Sequence, residues 1–397
     1  MTPSAHERYR QRLHALSEPA ALASHLDEWA RARDIPPVEQ WERDYGRFHP
    51  GAPAWAVLAF TGGTRAPGVQ ASVRVDVHET SIGAPDLVPV EDVGWVRVVG
   101  AADDPRLGGL GGVLSQLRDP RVVRYRPGSR CTVRGVSAEG NRFVKVAPGT
   151  EHTQADAREL WCAQTSGLLP FAVAQPHGWS AETTSSWYGV VAGAPIAAAV
   201  LGADGAAVAR RLGEALGALA SAPLRPTAVE GPDAQLARTE RAVRRAERTL
   251  PELAGPLRAQ LSHLASRHES LQPRRLVPVH GAPHMHQWLD DEGQLGLIDF
   301  DRFALGEPEL DLATFLSELD SDGDRLAPMS ELEDALVAGF EWFGPSLDPD
   351  RLALYRLHKR IAKVARTAYA LRADGDMRSA RHLASLTRCE VAGERVG

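Results

Sequence analysis

The stretch VHGAPHMHQWLDDEGQLGLIDFDRFALGEPELDLATF, residues 279–315, decides how the rest of the chain is read. A strand ends at His280-Gly281 and a tight loop follows. Trp288-Leu289 resumes extended structure, Asp290 to Gly293 turn, and Leu295 to Phe300 return as a strand carrying Asp299 near its end. Two short strands of this kind bring Gln287 close to Asp299, an amide oxygen beside a carboxylate. Oxygen ligands of that sort suit Mg2+ held through substrate phosphates. Asp299 and Asp301 are two residues apart, so on an extended backbone both point to the same side. The second carboxylate is then free for a second metal or a substrate hydroxyl. His280, His284 and His286 also spell H-x3-H-x-H, three imidazoles of the kind that hold zinc. That spacing suits a metal best on a helix, and Pro283 argues against one here.

Upstream, VVRYRPGSRCTVRGV within 122–146 reads as a strand, a Pro-Gly turn and a second strand; RFVKV is a third. DARELWCAQTS, from Asp156 to Ser166, then reads as helix. After SWYGVVAGAPIA at 186–197 the chain becomes helical. Stripes of apolar residues and Arg/Glu-rich faces predict helices from Val208 to Leu219 and over 233–249, 251–269, 309–319, 329–342 and 349–373. Strands first and helices afterwards indicate an α+β chain.

The first 120 residues hold a helix over 5–34, a hairpin from Trp55 to Val77 and a strand at 94–100. Arg47-Phe48-His49-Pro50-Gly51-Ala52 echoes Arg124-Tyr125-Arg126-Pro127-Gly128-Ser129, which marks a repeated hairpin in an enlarged β-rich N-terminal region. The Gly-rich LGGLGGVL at 107–114 lacks G-x-G-x-x-G spacing and is not read as a nucleotide loop.

At 397 residues the chain is long enough for two lobes, each with its own core. Apolar residues make up 43% and charged residues 24%, an ordinary globular balance. The 45 basic and 51 acidic side chains leave a net charge of −6, which gives no footing for a nucleic-acid partner. The N-terminus is charged and no apolar run is long enough to span a membrane, so neither a signal peptide nor a membrane partner is expected. Three widely spaced cysteines, Cys131, Cys162 and Cys389, fit a reducing cytoplasm better than a disulfide framework.

The 279–315 stretch resembles the aminoglycoside phosphotransferase and choline kinase-like families, relatives of protein kinases. Their catalytic loop reads His-Gly-Asp, four residues, then Asn; Ile-Asp-Phe or Ile-Asp-Trp, Gly-Asp-Pro and Asp-Leu-Ala follow. This chain has His280-Gly281-Ala282, four residues, Gln287, then Ile298-Asp299-Phe300, Gly306-Glu307-Pro308 and Asp311-Leu312-Ala313. The resemblance implies a two-lobed protein-kinase-like fold. Residues 121–192 form a β-rich N-lobe, and 193–397 a mainly helical C-lobe with its catalytic loop at 279–301. Residues 1–120 are an extension that the family pattern does not explain.

It also implies ATP (or GTP) with Mg2+, and a small-molecule hydroxyl acceptor. Asp299 becomes the metal carboxylate, and Gln287 stands where Asn holds the metal. Lys145 in RFVKV faces the phosphates and pairs with Glu159 of the following helix, with Asp156 or Glu151 as substitutes. Arg126, Gly128 and Ser129 of the RPGSR turn cover the phosphates. VAGAPIA at 191–197, with Gly193, is the linker whose backbone receives adenine. Asp311 caps a helix or braces the loop, and His280 is a packing residue.

The residue that accepts the hydroxyl proton in these families is here Ala282, whose methyl cannot do so. Three readings stand. The chain is an active phosphotransferase using Asp301 or His284 instead; or a pseudokinase that binds nucleotide or ligand without turnover; or a protein in which an Asp was engineered to Ala.

Overall fold

The structure, a computed structural model, describes residues 19–50, 53–66, 69–91, 93–151, 153–320, 326–371 and 377–384. Cys389 and the part of the expected 5–34 helix before residue 19 lie outside them. Within them that helix is shorter than its pattern predicts. Pro19–Ala21 is a single 3-10 turn and the helix α1 is Ala23–Arg31, burying Leu26 and Ala30.

Two antiparallel sheets follow. The first contains β1 (Val38–His49), β2 (Trp55–Thr64), β3 (Gln70–His78), β4 (Val88–Val90) and β5 (Gly94–Gly100), in the order β1-β2-β3-β5-β4. After the short helix α2 (Leu110–Gln116) come β6 (Arg118–Arg126), β7 (Arg130–Ser137), β8 (Gly140–Val146), α3 (Thr153–Thr165), β9 (Pro176–Ser180) and β10 (Ser185–Tyr188). Their order is β6-β7-β8-β10-β9. The two sheets share one strand order, and the echoed segments each run from the first strand of a sheet into its first turn. Residues 51 and 52 of the echo are outside the described set.

The registers make the comparison residue by residue. In the second sheet Arg126 faces Arg130, and Thr132 then faces Lys145. In the first, His49 faces Trp55, and Val57 then faces Asp76. The place of Lys145 is thus taken by Asp76, buried and ion-paired with Arg74 at 2.7 Å and Arg97 at 2.9 Å. The first sheet thus repeats the form of the second with a carboxylate where the second has an ammonium.

The first sheet braces both lobes. The Gln70 side chain accepts from Val122 N at 2.8 Å and donates to Val122 O at 3.4 Å, standing in for a strand neighbour of β6. From the edge strand β1, Arg43 donates to Leu371 O at 2.5 Å, and Arg47 bridges to Ala370. Burial of Leu58, Phe60, Val73, Val75 and Leu371 in one cluster drives this docking.

The linker strand β11 (Ala194–Pro195) leads into the helical lobe: α4 (Ala197–Leu201), α5 (Gly205–Ser221), α6 (Pro232–Thr249), α7 (Ala254–Ser270), α8 (Glu309–Leu319), α9 (Met329–Phe343) and α10 (Pro349–Tyr369). Short strands hold the functional loops between them: β12 (Ala228–Glu230), β13 (Val277–Val279), β14 (Trp288–Asp291), β15 (Gln294–Leu297) and β16 (Ala304–Gly306). β14 and β15 form the expected hairpin, with β11 on its edge. α10 starts where the Asp348 side chain accepts from the amides of Asp350 and Arg351, with Pro349 at its first position. The α+β, two-lobed kinase-like architecture is therefore present, β-sheets first and helices after.

Candidate active site

The cleft between the second sheet and the helical lobe collects the chemistry. Its roof is the β6–β7 turn. Gly128 has φ +66°, a left-handed conformation that favours glycine, and Ser129 N donates to Arg126 O at 3.0 Å. The turn is fixed from outside by Asp104, which is 1% exposed. Its Oδ2 accepts from Gly128 N and from Tyr125 Oη, both at 2.7 Å, and its Oδ1 from Arg106 N at 3.1 Å. Arg74 of the first sheet reaches the same carboxylate at 3.5 Å. Burial, then repulsion from Arg130 and Arg124, pushes the Arg126 guanidinium down to about 10.

Lys145 projects from β8 into the cleft beneath this turn. Its Nζ donates to Asp299 Oδ1 and, at 2.6 Å, to Asp301 Oδ1. Arg130 donates to Asp301 Oδ2 at 2.6 Å, and Gln287 Nε2 to Asp299 Oδ2 at 3.0 Å. The two carboxylates do converge, though not along an extended strand: Asp299 has φ +70°, a strained setting for a non-glycine residue. Burial opposes the charges, yet Lys145 holds the Asp299 carboxyl well below the usual carboxylate range. Against the same burial, Asp299 and Asp301 push the Lys145 ammonium up to about 12.

The expected Lys145–Glu159 pair is not formed. Glu159 of α3 instead accepts from Arg225 N at 2.9 Å, tying the helix to the C-lobe. Asp156 accepts from Thr227 Oγ1 at 3.3 Å. Lys145 takes its partners from the C-lobe because Asp299 and Asp301 enter the cleft together and offer two carboxylates where α3 would offer one.

The loop below is held by buried hydrogen bonds. Asp311 Oδ2 accepts from His280 N at 2.6 Å and its Oδ1 from Gly281 N at 2.8 Å. Burial pushes this carboxyl up to about 6. His280 is fully buried, its Nε2 donating to Ile298 O at 3.1 Å, and burial pushes its imidazole down to about 4. Ala282 follows, 8% exposed, with its carbonyl accepting from His284 N at 2.9 Å. His284 turns away to Glu318, Nδ1 lying 2.6 Å from Oε1. His280 and His284 turn to different partners, and among the described residues no group of three or more His, Cys, Asp or Glu side chains is placed to hold a metal.

Asp299 and Asp301 offer oxygen donors that fit a hard cation bound largely through phosphates. Gln287 fits less well. His284 N donates to its Oε1 at 2.8 Å, which fixes the amide so that nitrogen, not oxygen, faces Asp299. At the far side of the cleft Gly193 has φ +108°, and a Cβ there would lie 2.7 Å from Asp290 C and O. Glycine thus lets the 191–197 linker lie flat along β14.

Two contributors escaped the sequence reading. Arg130 lay inside the quoted RPGSR turn without being singled out, and its basic neighbours gave the only signal. Asp104 lies in a segment no motif covers, and nothing in AADDP marks it as the clamp of a turn 24 residues away.

A family model described as the phosphotransferase enzyme family matches residues 132–355. No curated protein matches the sequence. Among solved structures, the amicoumacin kinase hAmiN in complex with AMP-PNP, Ca2+ and Ami is similar at 12% identity and TM-score 0.55, over 70% of this chain and 92% of that one. An aminoglycoside-3'-phosphotransferase of type VIII shares 20% identity over 65% of this chain and 99% of that one, at TM-score 0.48. The choline kinase LicA from Streptococcus pneumoniae shares 12% over 69% and 96%, at TM-score 0.47. The family model spans more than half of the chain, from β7 through the catalytic loop to α10, and this protein belongs to the phosphotransferase enzyme family.

Proposed function

We propose that this protein transfers the terminal phosphoryl group of ATP or GTP, with Mg2+, to a hydroxyl of a small molecule. The observation that carries this reading is the convergence of Lys145 on Asp299 and Asp301 beneath the Arg126–Arg130 turn. Lys145 and Arg130 neutralise phosphates; the Arg126–Arg130 turn covers them; Asp299 and Asp301 hold the metal; the 191–197 backbone receives the base. Bound Mg2+ would supply charge neutralisation at the phosphates. Asp311 keeps the His280-Gly281 amides in place, so the loop facing the acceptor keeps its shape. Lys145 and the carboxylates neutralise one another, and a metal-nucleotide complex would offer each a new counter-charge, phosphate for Lys145 and metal for Asp299 and Asp301. Phosphoryl transfer rests mostly on positioning and electrostatics, which this cleft retains.

Ala282 favours a second reading, a pseudokinase that binds nucleotide as a regulatory or binding protein. Incubation with γ-labelled ATP, Mg2+ and a panel of hydroxylated acceptors separates the two. Slow acceptor labelling supports the transferase; nucleotide binding without labelling of any acceptor supports the pseudokinase.

A further inference from the structure

In the first sheet β3 outruns its neighbour β5. β5 ends at Gly100, which faces Val73, so among the described residues Gln70 to Ser72 pair only with β2. Beyond Gly100 the chain leaves the sheet as the 3-10 turn Ala101–Asp103. The gap is a cavity of about 410 Å3, walled by Trp29 of α1, Ile35, Leu114 of α2 and Val122 of β6, with Gln70 and Ser72 beneath. Small-molecule sites occupy about 300–1,000 Å3 and are mainly apolar with a few placed polar groups. Neither Lys145 nor Asp299 lines this one.

Two opposite charges stand at its rim, both against Trp29. The Arg33 guanidinium lies over the Trp29 ring, 4.8 Å from its centroid. A Cβ on Gly100 would sit 2.9 Å from Asp103 Oδ2 and 3.1 Å from Trp29 Cζ2, so the carboxylate and the indole flank one point. Arg33 and Asp103 are both exposed and both line the cavity. Among the described residues neither forms an ion pair, with the other or with a third group. A guanidinium stacked on an aromatic face keeps its edge free to hold a carboxylate. Two lining residues also carry buried polar atoms without a hydrogen-bond partner, Trp29 Nε1 and Ser72 Oγ. Buried polar atoms are nearly always paired, so two orphans on one cavity mark where the polar groups of a ligand fit.

We infer that this cavity binds an α-amino acid with an apolar side chain, its carboxylate on Arg33, its ammonium on Asp103 and its side chain against Trp29, Leu114 and Val122. A ligand with one charge leaves the other rim group unanswered, and one without an apolar part leaves the walls unfilled. The site is joined to the roof of the catalytic cleft at two points. Asp103 is followed by Asp104, whose carboxylate holds Gly128 N and Tyr125 Oη. Gln70, beneath the cavity, holds both backbone groups of Val122. A bound amino acid orders both contacts and so steadies the Arg126–Arg130 turn. The consequence for nucleotide rests on the phosphotransferase reading; the binding and the steadier turn do not.

The test titrates L-phenylalanine and L-leucine calorimetrically into the full chain without nucleotide. Each is compared with its own amine (phenethylamine, isopentylamine) and its own acid (3-phenylpropionate, 4-methylpentanoate). At least one amino acid is expected to bind with a Kd below about 1 mM, and at least about tenfold more tightly than its amine or its acid. Arg33→Gln and Asp103→Asn, both at exposed positions, are each expected to cost about tenfold in that affinity. Hydrogen exchange over residues 118–130, read by mass spectrometry, is expected to slow when the amino acid binds the parent. No binding by either amino acid, equal binding of an amine or an acid, or parent-like binding by both variants overturns the inference. Binding that leaves exchange over 118–130 unchanged overturns the link to the roof. Failure of AMP-PNP and Mg2+ to bind in a separate titration counts against the phosphotransferase reading alone.

Discussion

Replacing Ala282 by Asp restores a carboxylate to the loop, and the structure says how much that should matter. The backbone that would carry it is already fixed: Asp311 holds the two preceding amides, and the Ala282 carbonyl accepts from His284 N at 2.9 Å. General-base help is worth about a hundred- to ten-thousand-fold, or about 3–5 kcal/mol of barrier at 1.36 kcal/mol per decade. Pro283 and the contact of His284 with Glu318 constrain where the carboxylate can turn, which places the expected gain near the lower end, about a hundredfold. The assay is ADP release at saturating ATP and Mg2+ with an acceptor that binds, parent and Ala282→Asp side by side. A parent turning over at an ordinary kinase rate of about 1–100 per second, and falling in Ala282→Asp, would refute the reasoning. Asp301 would then be the group to suspect, and Asp301→Asn should stop turnover.

Lys145→Met removes the cation shared by two carboxylates and leaves Arg130 on Asp301 and Gln287 on Asp299. Raising Lys145 from 10.5 to about 12 corresponds to about 2 kcal/mol, present below pH 10.5 and lost as pH rises through 12; unchanged stability to urea in the variant at pH 7 contradicts the pairing. Asp104→Ala orphans Tyr125 Oη and the Gly128 amide, with an expected loss of about 3 kcal/mol in urea and weaker nucleotide binding; a loss under about 1 kcal/mol with unchanged binding would show that the turn stands without its clamp. Acid should destabilise the protein: His280, pushed down to about 4, and His358, to about 2, stay neutral when folded, so the unfolded chain takes up more protons below pH 6.5. Asp311, pushed up to about 6, works the other way, leaving a net loss on the order of 2 kcal/mol from pH 7 to pH 5; equal urea midpoints at the two values would contradict this.

Local pattern carried much of this architecture. The helix Glu309–Leu319 follows the predicted bounds, and the Trp288–Asp291 and Gln294–Leu297 hairpin brings Gln287 to Asp299 as its turn sequence implies. What local pattern could not carry was pairing across long separations. Glu159 sits on the expected helix but bonds the Arg225 amide, because the position of α3 depends on the C-lobe it packs against. Asp299 and Asp301 meet on Lys145 through a left-handed backbone that alternation in a strand does not predict. The orientation of the Gln287 amide is set by the His284 amide, a contact too local to fold and too specific to propensity to foresee. The first sheet was legible as strands, but its kinship with the second appears only when strand order and register are compared.

Lys145 and Asp299 are proposed to form one metal-nucleotide site. Calorimetric titration of ATP into the parent, with and without Mg2+, and of Mg2+-ATP into Lys145→Met and Asp299→Asn tests it most directly. The parent is expected to bind ATP, Mg2+ to tighten binding, and each substitution to weaken the Mg2+ complex by at least about tenfold. No binding by the parent, or equal binding by the parent and both variants, would contradict it.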